Sequence, residues 1–244
     1  MILLDIAKKK FQEMNKQNIH FVENKEANDF LNNLDEYPHL FVLACLMDRQ
    51  MKAERAWIIP YEVCTYFSVF SISELVTIKL EEYKKLFNEK SLHRFNNTMA
   101  ECFFNAVQDI NSKYTGNAAN IWNNKPSSAT VVYRFLEFSG AGIKIATMAA
   151  NILARQYKIP FSDYYSIDIS PDVHIIRVIK RTGLVKEHAT SEMIIYKARE
   201  INPEFPGIID YSCWEIGRTY CRPNNPDCVN CPIESECKKN IIII

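Results

Sequence analysis

The chain has 244 residues, of which 48% are hydrophobic and 24% are charged, and 29 basic residues balance 29 acidic ones, so the formal net charge is zero. This composition excludes an intrinsically disordered chain and a fibrous repeat protein. Only 6 residues are glycine, against an average of about 7%, and β-turns and hairpins depend on glycine. We therefore predict a helix-rich globular protein of one or two domains.

Apolar residues recur at helical spacing along the chain, without the alternation typical of a half-buried strand. Pro38 opens a strongly apolar helix. A second helical segment, residues 52–57, follows that helix, and Pro60 is expected to end it. Gly140 and Gly142 predict a tight hairpin between two helices, while Pro171 suits the first turn of a later helix. The predicted helices cover about residues 3–15, 27–34, 40–47, 52–57, 74–80, 83–87, 95–110, 128–138, 143–157, 172–181, 189–200 and 207–220.

The hydropathy pattern predicts a cytoplasmic protein that does not bind membranes. Only four apolar or sulfur-containing residues precede Asp5, which is too short a run for a secretory signal. The longest uncharged apolar stretch, residues 145–154, has the length of a buried helix rather than of a membrane span. The final run of isoleucines, residues 241–244, is assigned no function.

Half of the eight cysteines form a metal-ligand pattern. Cys221, Cys228, Cys231 and Cys237 follow the spacing C-x6-C-x2-C-x5-C in a loop that also contains three prolines. Four thiolates this close together are typical of a metal centre. Zinc is an alternative metal for these cysteines, although zinc ribbons normally use two C-x2-C pairs and this loop has one. The remaining cysteines lie in apolar helical contexts and are predicted to be core residues: Cys45, Cys64, Cys102 and Cys213.

Four elements occur in a fixed order along the chain. The first is the end of an early helix, residues 46–50, Leu-Met-Asp-Arg-Gln. The second is the hairpin, residues 138–144, Phe-Ser-Gly-Ala-Gly-Ile-Lys, which ends in a lysine. Residues 171–177 begin with Pro-Asp, and the cysteine loop follows. This order resembles the endonuclease III branch of the helix-hairpin-helix DNA glycosylases, whose cysteine loop carries a [4Fe-4S] cluster. The resemblance covers about residues 38–237.

The resemblance implies an all-α fold of two domains with a DNA-binding cleft between them. One domain, about residues 37–162, is a six-helix barrel that contains the helix-hairpin-helix at about residues 129–156. The other is an iron-sulfur cluster domain built from residues 1–36 and 163–240. The ligands of the [4Fe-4S] cluster are then the four cysteines of the loop, Cys221, Cys228, Cys231 and Cys237.

Lys144 and Asp172 are the catalytic residues that the resemblance implies. Breaking the N-glycosidic bond of a damaged nucleotide gives the sugar oxocarbenium character, so the site needs a nucleophile and an anion near C1′. Asp172 is expected in the first turn of a helix, where the helix dipole favours a carboxylate. Lys144 lies on an apolar segment, where partial burial would favour the free amine that attacks C1′ and forms a Schiff base. Taken singly, Lys144 would more often be a snorkelling helix lysine and Asp172 an N-terminal helix cap.

Three residues are candidates for holding the DNA. Gly140 and Gly142 let backbone N–H groups approach a phosphate, although a plain helix-helix turn would use the same glycines. Gln50 is interpreted by resemblance as the residue that fills the gap left by an extracted base, and its alternative interpretation is a polar helix end. Because the net charge is zero, DNA binding requires a local basic face.

Four further candidates lie near Asp172 in the sequence. His174 and Arg177 are on the helix that Asp172 opens, where they could orient the carboxylate or contact phosphate, and a surface or core role is equally compatible. Tyr164 and Tyr165 precede Asp172, and their rings could stack on an everted base or belong to the core.

The expected function is a base-excision repair DNA glycosylase with abasic-site lyase activity. It acts as a monomer on double-stranded DNA that contains a damaged base or an abasic site and, in a prokaryote, is associated with the nucleoid. Lys144 and Asp172 are 28 residues apart, which exceeds the spacing common in the family, so the substrate is not transferred by resemblance. Two alternatives stay open: a monofunctional glycosylase for alkylated or deaminated bases, and a non-catalytic protein that binds DNA damage or DNA structures.

Overall fold

The computed structural model describes residues 1–13 and 19–240, and every regular element in these ranges is a helix. The predicted all-α fold class is confirmed. Residues 14 and 15 of the first predicted helix and the run 241–244 lie outside the described residues. The first eight α-helices are α1 (Ile2–Glu13), α2 (Lys25–Asn32), α3 (Pro38–Met47), α4 (Ala53–Trp57), α5 (Ile59–Phe67), α6 (Ile72–Leu75), α7 (Leu80–Lys90) and α8 (Asn96–Lys113).

The remaining α-helices carry the residues of the predicted site. Within the described ranges no helix combines the length and the apolar character needed to cross a membrane. Short 3-10 helices cover Ala118–Ile121, Pro206–Ile209 and Glu234–Glu236. The later α-helices are α9 (Ser128–Leu136), α10 (Ile143–Arg155), α11 (Val173–Arg181), α12 (Ser191–Ile201) and α13 (Asp210–Thr219).

The described residues form two compact units, and α9 and α10 contribute residues to both. These units divide the chain differently from the domains that the resemblance implies, at residues 19–36, 127–129 and 150–162. The domain division drawn from the resemblance stays a prediction. The N-terminal and C-terminal segments form one unit (residues 1–13, 127–129 and 150–240), and the central segments form the other (residues 19–126 and 130–149).

Side-chain contacts explain why residues 19–36 are part of the central unit and why the end of α10 is part of the other unit. Phe21 stacks on Trp57 of α4 with ring centroids 4.3 Å apart, which ties residues 19–36 to the central segments. In the second half of α10, the side-chain amide of Asn151 donates a hydrogen bond to the carbonyl of Gly207 at 2.8 Å. The end of α10 is therefore bonded to the C-terminal segment.

Helix α3 forms the core of the central unit. All ten of its residues are buried, and it packs against α4, α5 and α8. Its continuous apolar run is typical of a helix that is surrounded by others. Pro60, which was expected only to end a helical segment, lies in the first turn of α5, a helix that the sequence pattern did not reveal. A proline is tolerated there because that N–H has no partner within the helix.

The other unit is built around α11 and α13. These two helices pack against each other, and α1 packs against α13 and the 3-10 helix Pro206–Ile209. Arg199 of α12 donates two hydrogen bonds, both 2.7 Å long, to the carboxylate of Asp168. This bidentate pair fixes α12 to the segment that leads into α11.

Candidate functional site

The predicted helix-hairpin-helix is present, with its turn between α9 and α10. Gly140 has a φ of +86°, which L side chains rarely adopt, and the N–H of Ala141 donates to the carbonyl of Phe138 at 3.0 Å. A Cβ at Gly140 would stand 2.7 Å from Sγ of Cys102 on α8. At Gly142, by contrast, no described atom lies within 4 Å of the Cβ position. The fold requires glycine at 140, whereas Gly142 leaves open space beside the start of α10.

Lys144 lies in the first turn of α10. The backbone bond from N–H of Ala146 to the carbonyl of Gly142, 3.0 Å long, begins the helix, so the N–H groups before Ala146 precede the helical ladder. The side chain of Lys144 is exposed, as is that of Ile143. The predicted partial burial of Lys144 is wrong, because Lys144 lies on the exposed side of this turn, whereas Ile145 and Ala146 are on its buried side.

Asp172 is the N-cap of α11, which begins one residue later than predicted, at Val173. Its Oδ1 accepts hydrogen bonds from the backbone N–H groups of His174 and Ile175, at 2.9 and 2.8 Å. The residue is half-buried, and its Oδ2 accepts no hydrogen bond from any described residue. The cap thus fixes the orientation of the carboxylate and leaves one oxygen for another partner.

His174 and Arg177 are bonded within the chain. The Arg177 guanidinium donates to the carbonyls of Val173, Gly217 and Cys221 and to Nδ1 of His174. Because a guanidinium can only donate, Nδ1 of His174 is an acceptor and the ring proton is on Nε2. Burial lowers the pKa of Arg177, and the neighbouring Cys221 opposes that shift. Arg177 therefore connects the helix of Asp172 to the start of the cysteine loop.

The four predicted ligand cysteines lie around one cavity. Cys221, Cys228, Cys231 and Cys237 all line one small, partly open pocket of about 20 Å³, and each is partly exposed. Burial raises the pKa of Cys231 and of Cys237, and the neighbouring cysteines raise both further. Four thiolates in this cavity would therefore need a bound cationic centre to neutralise them.

Zinc and a [4Fe-4S] cluster require different spacings of four cysteine sulfurs. In the described part of the chain, no three His, Cys, Asp or Glu side chains are close enough together to hold one metal ion. At a Zn–S distance of about 2.3 Å, the sulfurs of a zinc site would lie within about 4 Å of one another. In a [4Fe-4S] cluster each thiolate binds a different iron, so the sulfurs stand further apart around a common cavity.

Arg181 holds the cysteine loop and was missed by the sequence analysis. Its guanidinium donates to the carbonyls of Arg222 and Pro223, at 2.7 and 2.9 Å, and contacts Sγ of Cys221 at 3.7 Å. Arg177 and Arg181 are four residues apart on α11 and so share one face of the helix. That spacing was the available signal for a second arginine directed at the loop.

Gln50 follows the end of α3. The turn that carries it begins at Asp48, where the helix stops, and the N–H of Arg49 donates to the carbonyl of Met47 at 2.7 Å. Gln50 has a φ of +53° and an exposed side chain. This placement agrees with the alternative interpretation as a polar helix end, and the predicted role of Gln50 in DNA binding stays a prediction.

The two candidate tyrosines differ in their surroundings. Tyr164 stacks on Phe205, with centroids 4.9 Å apart, and meets the ring of Phe11 edge-on at 6.2 Å. These contacts favour the core interpretation of Tyr164. Tyr165 is 62% exposed, so its ring is available to a ligand.

The four cysteines predicted to be core residues are all buried, and burial raises the pKa of Cys64 to about 12. Inert thiols of this kind have no role in the site. The structure joins the Asp172 helix to the cysteine loop in one unit, and it joins the hairpin to Cys102 in the other. Lys144 and Asp172 belong to different units.

Known proteins similar to this chain were found by sequence. No protein-family model matches it. Over 165 residues, 68% of this chain and 67% of the relative, it is 26% identical to endonuclease III of Thermotoga maritima. Over 72 residues it is 29% identical to adenine DNA glycosylase of Rattus norvegicus, and this match spans 28% of the chain and only 14% of that relative.

Solved structures match over nearly the whole chain. A trapped covalent intermediate of endonuclease III with DNA has a TM-score of 0.62 at 17% identity, covering 97% of this chain and 93% of that one. A thermostable thymine-DNA glycosylase has a TM-score of 0.61 at 12% identity, covering 98% and 94%. The overall helical arrangement is therefore that of the endonuclease III structures.

Proposed function

We propose that this chain, which has the endonuclease III fold, is a base-excision repair DNA glycosylase with abasic-site lyase activity. The observation that carries the proposal is the position of Lys144, an exposed residue in the first turn of α10, directly after the hairpin glycines. Asp172 supports it as a carboxylate whose orientation is fixed by a helix cap. These are the nucleophile and the anion that cleavage of an N-glycosidic bond needs.

Base removal assigns a separate task to each residue. The amine of Lys144, after losing a proton, donates its lone pair to C1′ of the damaged nucleotide. The C1′–N bond breaks, its electron pair leaves with the base, and the base takes up a proton. The charge of Asp172 stabilises the positive charge that develops on the sugar, through the oxygen that the helix cap does not use.

The lyase step continues from the same lysine. The adduct loses a second amine proton as the sugar ring opens, which gives a Schiff base between Lys144 and C1′. Loss of a proton from C2′ then expels the 3′ phosphate by β-elimination and cleaves the strand. A chain without the amine at position 144 cannot form this covalent intermediate.

The cofactor of this proposal is a [4Fe-4S] cluster held by Cys221, Cys228, Cys231 and Cys237. The four thiols line one common pocket, which supports a metal centre there, and the single C-x2-C pair of the loop favours the cluster over zinc. The cluster supplies a structural crosslink of the loop and a one-electron redox centre, and it has no part in base removal. Broad visible absorption and about four irons per chain would support the cluster, whereas stoichiometric zinc would overturn it.

The partner is double-stranded DNA that contains a damaged base or an abasic site. The open space beside Gly142 admits a phosphate to the N–H groups at the start of α10. Gln50, on an exposed turn, fills the gap left by the extracted base. The protein acts as a monomer in the cytoplasm, on the nucleoid if the cell is prokaryotic.

The testing experiment measures free bases by mass spectrometry after incubation with oxidised, alkylated or deaminated genomic DNA. The wild type should release one class of base. Asp172→Asn should release none, although asparagine is as good an N-cap as aspartate, so the helix is preserved. Release by neither protein from any pool would overturn the glycosylase proposal in favour of a non-catalytic DNA-binding protein.

A monofunctional glycosylase for alkylated or deaminated bases is the second candidate. The N-cap at Asp172 favours it, because a carboxylate of fixed orientation can direct a water to C1′ while Lys144 is structural. Borohydride trapping separates the two candidates. A covalent complex with DNA that is lost in Lys144→Gln supports the lyase, whereas base release without any trapped complex supports the monofunctional enzyme.

A further inference from the structure

The turn that carries Gln50 also carries an arginine with no assigned role. Arg49 lies two residues after the end of α3, and its side chain is exposed. Its guanidinium forms no hydrogen bond and no ion pair with any described residue. It is therefore a cation whose charge no neighbouring carboxylate neutralises.

Arg49 lies against the hairpin. Its Nη1 is 3.8 Å from the position that a Cβ on Gly140 would occupy. The same position is 2.7 Å from Sγ of Cys102, so α8 contacts the hairpin at this point as well. The turn after α3 and the hairpin are thus adjacent within the central unit.

A buried histidine holds this turn in place. Nδ1 of His93 accepts a hydrogen bond from the N–H of Phe95 at 3.0 Å, so the ring proton is on Nε2. Nε2 then donates to the carbonyl of Met47, 3.2 Å away, which also accepts from the N–H of Arg49. His93 is only 4% exposed. The turn is therefore anchored to the core, and Arg49 and Gln50 start from a fixed backbone.

We propose that Arg49 is a DNA-phosphate-binding residue that acts with the hairpin. Its guanidinium and the N–H groups at the start of α10 bind the backbone of the damaged strand, next to the gap that Gln50 fills. A guanidinium suits this task because it donates to two phosphate oxygens at once. The inference rests on the proposed function, since it requires DNA at the hairpin, and it adds a charged contact that joins the hairpin to the turn of Gln50.

The experiment measures the salt dependence of binding to a duplex with a tetrahydrofuran abasic analogue. Each neutralised phosphate contributes about 0.9 to the slope of log K against log salt concentration. Arg49→Ala should reduce the slope by about 0.9, and Arg49→Lys should retain it because the charge remains. Lys85→Ala is the matched control, since Lys85 is a 70% exposed cation of α7 in the same unit. Its slope should equal that of the wild type.

The outcomes separate this inference from the proposed function. If the wild type does not prefer the abasic analogue to an unmodified duplex, the proposed function fails. If the wild type shows the preference but Arg49→Ala has an unchanged slope, the Arg49 contact is overturned and the proposed function stands. Arg49→Gln, which removes the charge but keeps hydrogen-bonding groups, serves if the alanine variant does not fold, and it should show the same loss of slope.

Discussion

Gly217 lies directly against His174, because a Cβ on Gly217 would stand 2.7 Å from the Cβ of His174 and 3.1 Å from its carbonyl oxygen. Gly217 is on α13, which leads into the cysteine loop, and His174 is in the first turn of the helix that Asp172 caps. This close approach is what lets Arg177 bond the carbonyls of Gly217 and Cys221. The two functional elements of this unit are therefore fixed to each other at a glycine.

Gly217→Ala should lower the free energy of unfolding by about 1–3 kcal/mol, because the added methyl group overpacks the contact with backbone atoms. Urea denaturation measures the change. Gly142→Ala is the matched control for stability, since its Cβ would meet no described atom within 4 Å. Equal effects of the two substitutions would contradict the close packing of α11 on α13.

Gly140→Ala should be destabilising for two separable reasons. The positive φ costs an L residue about 1 kcal/mol, and the methyl group would overlap Sγ of Cys102. In a Cys102→Ala background the overlap disappears, so the same substitution should cost less. A double-mutant cycle by thermal unfolding measures the difference, and additive effects would show that Cys102 does not limit the space at the hairpin.

Stability should require only a helix-capping side chain at position 172, whereas activity should require the negative charge of Asp172. Asp172→Ala removes the cap of α11 and should cost about 0.5–2 kcal/mol, whereas Asp172→Asn should keep most of the stability. Both variants should lose base release if the charge is needed. Full activity of the asparagine variant would reduce Asp172 to a helix cap.

Arg181→Ala should loosen the cysteine loop, because the carbonyls of Arg222 and Pro223 lose their donors. Limited proteolysis should cut residues 222–240 faster than in the wild type. Arg181→Lys should be intermediate, since an ammonium group cannot reproduce the planar pair of bonds. Arg218→Ala, which alters an arginine stacked on Trp214, should leave the cleavage rate of the loop unchanged.

Acid should destabilise the protein through His39. Burial lowers the pKa of His39 from 6.5 to about 4, while its Nε2 hydrogen bonds to the carbonyl of Phe70 at 2.9 Å. Because the unfolded chain takes up this proton first, stability that is present at pH 7 is lost as the pH falls from about 6.5 towards about 4. Between pH 7 and pH 5 the loss should be about 2 kcal/mol.

Urea denaturation at the two pH values tests this linkage. His39→Gln cannot titrate, so its stability should fall less between pH 7 and pH 5 than that of the wild type. An equal fall in both proteins would assign the acid sensitivity to other groups, of which buried His93 is one, because burial lowers its pKa too.

The sequence was sufficient to predict those features that depend on interactions between residues close together in the chain. Helical spacing of apolar residues and the scarcity of glycine predicted the all-α fold, and Gly140 and Gly142 predicted the hairpin. The sequence missed α5, because a proline in a first turn looks the same as a proline that ends a helix. It also misjudged the exposure of Lys144, since burial depends on residues that are distant in sequence.

Local chemistry along the chain thus determined the helices, the glycine turn, the N-cap at Asp172 and the set of four clustered thiols. Only the tertiary structure decided that Arg177 and Arg181 bond the cysteine loop and that Arg49 lies at the hairpin. The reason is that capping and helical periodicity act over a few residues, whereas a guanidinium finds its partners across more than 40 residues of chain, where packing alone sets the distance.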